Sequence, residues 1–251
     1  MVGTSYCARV GLLSLAVLMS GCLATPESAD VEALWAAQES EDALVGRSLA
    51  TSFPEAVLVN MSVDGKLRSA CSGAVIAPKV VLTAGHCVFG FDGWEIRAPY
   101  ADHQLVTSTS AAVFDYKVSS EFVDPTRHDI GLIFLGEPIR LAELPKLAAQ
   151  PVADGTQVVS VGRIDDGVFS NSKLFVSKPT PVKRASSIGF PFDYAAAEII
   201  QSGDSGGPDI ALHTHTIVGV NSGAGNGTEV LSRVDLLMDF ITQQVNAHGG
   251  F

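Results

Sequence analysis

The chain has 251 residues, 47% of them hydrophobic and 17% charged, a balance that excludes a disordered acidic tail and a small disulfide-stapled scaffold. Lys and Arg number 16 against 27 Asp and Glu, and the formal net charge of −11 removes the electrostatic basis for a nucleic-acid partner. With 24 Gly and 12 Pro set between short Val/Ile/Leu runs, the composition favours an all-β chain over a bundle or an alternating βα protein.

Arg9 precedes an apolar run from Val10 to Met19. A helix needs about 20 apolar residues to span a bilayer, so this shorter run has the proportions of a secretory leader, assigned to residues 1–21. Its end, Leu18-Met-Ser-Gly-Cys22, resembles a bacterial lipoprotein signal, in which the Cys is acylated and becomes the first residue; Met19 stands where that pattern prefers Leu. Leu23 after the Cys resembles outer-membrane sorting. Ordinary cleavage around Cys22-Leu23-Ala24 is the alternative and leaves a soluble exported protein. Residues 22–43 are acidic and Ala-rich with Trp35 as their only aromatic, and are expected to be a tether or propeptide, with a weak helix over 31–37. Residues 44–251 show no repeat and no second boundary, and form one domain.

Within that domain, alternating or β-branched stretches predict strands at Ala56–Val63, 74–76, Val80–Thr83, 106–109, 130–135, 157–161 and 216–220. Leu237, Phe240, Ile241 and Val245 recur at helical spacing, with Asp235 placed to cap the start. One C-terminal amphipathic helix is therefore expected, its apolar stripe facing the core.

Three islands carry chemistry: Leu82-Thr-Ala-Gly-His-Cys87, His128-Asp-Ile-Gly-Leu-Ile-Phe-Leu135 and Gly203-Asp-Ser-Gly-Gly-Pro208. Singly, each has a bland explanation as a core histidine, a turn aspartate or a flexible loop. Together they supply the base, the orienting acid and the nucleophile that hydrolysis of an acyl bond requires. In this order and context they resemble the trypsin/chymotrypsin-like serine proteases, and the resemblance spans Leu44 to the C-terminal helix. It implies two six-stranded antiparallel β-barrels followed by an α-helix, with His86 and Asp129 on the first barrel and Ser205 on the second. It further implies that Ser205 is the nucleophile, His86 the general base and Asp129 the carboxylate that orients it. The N–H groups of Gly203 and Ser205 would form the oxyanion hole. The expected protein is a monomer acting on protein or peptide substrates, with no cofactor, no metal and no membrane contact except a lipid anchor at Cys22.

Of the four cysteines, Cys7 lies in the leader and Cys22 at the acylation site, which leaves Cys71 and Cys87 to pair in an exported protein. Free buried thiols and a zinc site are the alternatives. Family members usually carry a further disulfide from the position of Gln201, which is absent here. The resemblance also implies activation by cleavage before Leu44, whose freed α-amino group would pair with Asp204; Arg47 departs from the family's second glycine. The primary specificity pocket would be lined by Ile199, Ser222 and Glu229. Ile199 at its base, and Ser222-Gly-Ala224 in place of the family's Ser-Trp-Gly wall, favour an uncharged substrate side chain over a basic one, with Glu229 as the complication.

Two rival functions come from other classes. Gly203–Gly207 also fits the nucleophile elbow of α/β-hydrolases, with Asp235 or Asp239 and His248 completing that order, although Gly206-Gly-Pro208 would break the helix an elbow needs. A silent protease-like binding domain is the other. His213-Thr-His215 reads as an exposed hairpin before a metal pair, and Asn60-Met-Ser62 and Asn226-Gly-Thr228 as accidental glycosylation sequons.

Overall fold

A computed structural model describes residues 47–118 and 123–250. The leader, the lipidation site Cys22, the tether and Leu44 lie outside the described residues. After a two-residue strand β1 (Ser48–Leu49), the first half contains β2 (Ala56–Val63), β3 (Lys66–Ala77), β4 (Val80–Thr83), β5 (Gly93–Ala98), β6 (Gln104–Ser108), β7 (Ser110–Val113) and β8 (Gly131–Phe134). They form an antiparallel sheet in the order β6-β5-β2-β3-β4-β8-β7. Only Thr109 separates β6 from β7, so one bent strand pairs with β5 at one end and β8 at the other. The sheet therefore closes into a six-stranded barrel, which removes its exposed edges.

The second half repeats the device. A short strand β9 (Lys146–Leu147) leads to β10 (Gln157–Gly162), a hairpin of β11 (Ile164–Asp165) and β12 (Val168–Phe169), and the interrupted run β13 (Phe175–Val176), β14 (Thr180–Pro181) and β15 (Lys183–Arg184). There follow β16 (Asp193–Ala197), β17 (Pro208–Ala211), β18 (Thr216–Gly225), β19 (Thr228–Arg233) and the helix α1 (Met238–Ala247). The β13–β15 run pairs with β10 through its first part and with β16 through its last, closing the β10-β17-β18-β19-β16 sheet. The expected pair of six-stranded barrels with a C-terminal helix is what the chain forms.

Strand periodicity explains why the barrels hold together. On β2, Val57, Val59 and Met61 point into the first barrel, whereas Ala56 and Leu58 join a second cluster shared with Val159, Val161, Ile210 and Val220 of the other barrel. With both faces buried, the first half of β2, residues 56–59, is apolar without alternation. Helix α1 buries Ile241 and Val245 in that shared cluster.

One expectation needs correction, and two plainer readings agree with the structure. Asp235 does not cap α1 with its side chain; a short 3-10 turn precedes the helix, and Asp235 instead pairs with Arg233 at 2.6 Å. Asn60, read as part of an accidental sequon, does lie buried in β2, where it accepts from the Arg163 guanidinium. His213 occupies a left-handed turn between β17 and β18, while His215 pairs with Glu55 at 2.9 Å, so the two imidazoles do not form a metal pair.

Candidate active site

Strand β4 ends at Thr83 and runs into a 3-10 turn, Gly85–Cys87, that presents His86. A disulfide from Cys71 on β3 to Cys87 ties this turn to the barrel wall. His86 Nδ1 lies 2.8 Å from Asp129 Oδ2, and the His86 backbone N–H donates to Asp129 Oδ1, also at 2.8 Å. Asp129 is buried just ahead of β8, and Ser222 Oγ donates to its Oδ2 at 2.6 Å. The imidazole is 22% exposed.

Burial alone would lower the His86 pKa, but the charge of Asp129 and its hydrogen bond together hold it above 6.5. Burial would likewise raise the Asp129 pKa; the His86 charge and the hydrogen bonds from His86 and Ser222 outweigh it and hold the carboxyl below its usual range. The pair is therefore poised as an ionised acid beside a basic imidazole.

Ser205 sits on the loop between β16 and β17, on the other barrel. Its carbonyl accepts from Ser72 N–H at 2.8 Å, and the Gly203 carbonyl accepts from Ser72 Oγ at 3.1 Å. Gly206 has φ +77, and a Cβ there would lie 2.0 Å from Thr83 Oγ1 and 2.7 Å from Ala84 N. Only glycine allows the Ser205 loop to press against the residues that lead into His86. A His86 ring nitrogen lies within 4.8 Å of Cys87 Sγ, itself 3.8 Å from Ser205 O, so the loop and the imidazole are neighbours. Among the described residues no hydrogen bond joins Ser205 Oγ to His86, a looseness common in substrate-free sites. Gly203 has φ +105. The N–H groups of Gly203 and Ser205 donate to no acceptor among the described residues.

Ser222, expected in the pocket wall, turns its hydroxyl onto Asp129. Beside it, Val123 covers Gly223 so closely that a Cβ there would lie 2.3 Å from a Val123 methyl; it fills space that the family's Trp side chain would need. Glu229 is wholly buried, and its Oε2 accepts from Ile199 N–H at 2.8 Å and Ile200 N–H at 3.1 Å. Its Oε1 has no partner among the described residues. Burial pushes its pKa up to about 7 against the opposing pull of these two N–H groups and Arg47.

Asp204 has a partner that the sequence reading did not name. Its Oδ2 pairs with Arg47 Nη2 at 2.9 Å, and both side chains are almost fully buried. The expected partner, the amino group of Leu44, lies outside the described residues. Sequence reasoning noted Arg47 only as a missing glycine; its signal was a cation in the segment meant to reach Asp204.

Cys71, Cys87 and His86 form a cluster with metal-like spacing, but the disulfide leaves no thiolate to bind an ion. The hydrolase elbow also fails. β17, not a helix, follows Gly203–Gly207, and His248 donates through Nδ1 to Gln244 O while stacking 3.6 Å from Phe134.

A family model named Trypsin matches residues 46–241. Chymotrypsin-like elastase family member 3B of Macaca mulatta is 23% identical over 235 residues, covering 78% of this chain and 90% of that protein. Among solved structures, HL collagenase superposes with a TM-score of 0.65 at 19% identity over 80% of this chain and 96% of its own. The scabies mite inactivated protease paralogue S-D1 gives a TM-score of 0.67 at 19% identity over 82% and 97%. Both structural likenesses show the shared fold. The family match runs through both barrels and ends inside α1, and the chain belongs to the trypsin family of serine peptidases.

Proposed function

We propose that this chain is an active serine endopeptidase that cleaves peptide bonds in proteins through an acyl-enzyme. The observation that carries it is the fixed tautomer of His86: with Nδ1–H committed to Asp129, Nε2 is the nitrogen free to take a proton. In this mechanism Ser205 Oγ attacks the scissile carbonyl as His86 Nε2 removes its proton. The tetrahedral oxyanion is met by the N–H groups of Gly203 and Ser205. His86 then protonates the leaving amine, and water repeats the sequence to free Ser205. Asp129 stays ionised throughout and stabilises the imidazolium.

The neighbouring fold of an inactivated paralogue makes the silent binding domain the competing function. Retention of His86, Asp129 and Ser205 in one chain favours activity. Labelling by a fluorophosphonate, with cleavage of a peptide library by the native protein and none by Ser205→Ala, is the expected result. Absence of both label and cleavage would establish the silent domain. The pocket around Ile199, Ile200 and Glu229 favours an uncharged side chain at neutral pH.

Export is supported by the Cys71–Cys87 disulfide, which belongs in an oxidising compartment. The proposed anchor at Cys22 and outer-membrane placement rest on the leader sequence alone, and the Macaca relative and mite structure lend them no support. Unchanged fractionation of Cys22→Ser would show secretion without an anchor.

A further inference from the structure

We infer that Arg47 is the internal cation that holds the oxyanion loop in its working shape, so that this domain needs no freed amino terminus at Leu44. The inference goes beyond the proposed peptidase function and rests on it only where activity is measured.

Asp204 immediately precedes Ser205 and is fully buried. Its Oδ1 accepts from Ile164 N–H and its Oδ2 from Gln201 N–H, each at 3.0 Å. Those bonds tie Asp204 to strand β11 on one side and to Gln201 of its own loop on the other, but they leave a negative charge out of water. Such a charge is held at large cost unless a cation reaches it.

Arg47 reaches it, with a side chain only 4% exposed. Its Nη2 bonds Asp204 Oδ2 at 2.9 Å and Ile199 O at 2.5 Å, and its Nη1 donates to Ile164 O at 3.1 Å. One planar guanidinium thus links the carboxylate to both segments whose N–H groups bind it. A primary ammonium is a compact point charge with no rigid fork to span these groups. The seat beside Asp204 is occupied by a residue three positions inside the proposed cleavage point, without any cut. Arg47 acts through Asp204 and touches no substrate, so it is a positioning residue.

The test uses the full chain with residues 39–43 replaced by the enteropeptidase sequence Asp-Asp-Asp-Asp-Lys, so that Leu44 can be freed at will. Hydrogen exchange is read at the Ile164 and Gln201 amides before and after cutting, beside kcat/KM on a peptide. Both amides are expected to be protected before the cut, with kcat/KM changing less than twofold afterwards. Arg47→Met is expected to lose the protection and at least tenfold in kcat with little change in KM, and Arg47→Lys to recover part of both. Amides that become protected only after the cut, or a rise of tenfold or more in kcat/KM, would overturn the inference and make Arg47 a resting-state occupant displaced by Leu44. Should Arg47→Met not fold, the cut and uncut forms still decide. A chain with protected amides but no activity in either form sustains the role of Arg47 and removes the peptidase proposal instead.

Discussion

Ser222 Oγ lies 2.6 Å from Asp129 Oδ2, so strand β18 of the second barrel grips the carboxylate that the first barrel uses to orient His86. The bond crosses the junction between barrels and shares the negative charge that His86 feels. Removing it in Ser222→Ala leaves that charge more fully on His86. The variant is expected to lose about 1.5–3 kcal/mol of stability, the usual range for a hydrogen bond to an ionised group. Its His86 pKa should rise, so kcat/KM at pH 7 should fall and recover toward pH 9. Urea midpoints and a pH–rate profile measure the two effects. Asp129→Asn, which removes the charge itself, is expected to cost roughly 10⁴-fold in kcat with no alkaline recovery.

His86 must be neutral to accept the Ser205 proton. Because the folded-state pKa is raised, a larger fraction is protonated at any given pH than for a free imidazole, and the acid limb moves upward. The profile of kcat/KM against pH should rise with a midpoint above 6.5. A midpoint at or below that value would show that burial wins over the Asp129 charge.

Asn60 and Arg163 provide a test of the junction. Arg163 is wholly buried, with Nη1 and Nη2 both donating to Asn60 Oδ1 at 3.1 Å and with Val59 O, Cys71 O, Ser170 O and Asn171 Oδ1 completing its partners. Its guanidinium carbon lies 4.4 Å from the Phe169 ring centre, over the hairpin that packs against Gly203. Burial lowers its pKa to about 9, so it remains a cation at neutral pH. Asn60→Ala should destabilise the domain by about 2–3 kcal/mol, since it leaves a buried charge short of acceptors. A change below ~0.5 kcal/mol in denaturant titration would mean that the remaining carbonyls suffice.

How much of this was legible follows from the range of each interaction. β2 and β4 were bounded correctly because their apolar runs end at turn residues, and the His86, Asp129 and Ser205 islands stand out because each is a dense local pattern. β5 was missed because Trp94 and Ile96 give it only two alternations, and β17 because its first residue is the proline that closes the glycine loop. The Ser222–Asp129 bond was not legible because local sequence tells where a strand runs, not which neighbour its hydroxyl finds. The Arg47–Asp204 pair joins residues from opposite ends of the domain, and no periodicity or spacing connects them. The Asn60 sequon was rightly set aside, but its burial beside Arg163 depends on the whole barrel and no three-residue pattern could show it.

Stability should vary with pH in a direction set by the buried acids. Burial raises Asp193 to about 7, against the hydrogen bond from Ser232, and Glu229 to about 7 as well. Asp209, with Oδ2 unpartnered among the described residues, is raised well above its ordinary value by burial and by the Glu229 charge. A carboxyl whose folded pKa exceeds its unfolded one contributes fully below the unfolded value near ~4 and loses that contribution as pH rises through the folded value, at about 1.4 kcal/mol per unit. Asp129, held low, works in the opposite sense and is lost only as pH falls through its depressed pKa. The domain is therefore expected to be less stable at pH 8 than at pH 5, by urea titration. Asp193→Asn and Glu229→Gln should each narrow the difference, and an unchanged difference in both would place the cause elsewhere.

With Glu229 in the proposed substrate pocket, substrate choice is expected to depend on pH. Its carboxyl faces Arg47, Asp204 and Asp209, accepts two N–H groups from Ile199 and Ile200, and keeps Oε1 unpartnered among the described residues. Below about pH 7 it is mainly neutral, and an uncharged side chain enters a pocket of matching polarity. Above that value it is mainly ionised, and a basic side chain arriving there would relieve an uncompensated buried charge. Arg47 opposes this attraction, which is why an uncharged preference should persist at pH 7. The ratio of kcat/KM for Arg-ended to Leu-ended fluorogenic peptides is expected to be below one at pH 6 and to rise roughly tenfold by pH 8, in step with one ionisation. In Glu229→Gln the ratio should stay low and flat across that range. A ratio well above one at pH 6, abolished by Glu229→Gln, would show that the carboxylate is ionised at all working pH values and that the pocket selects basic residues outright.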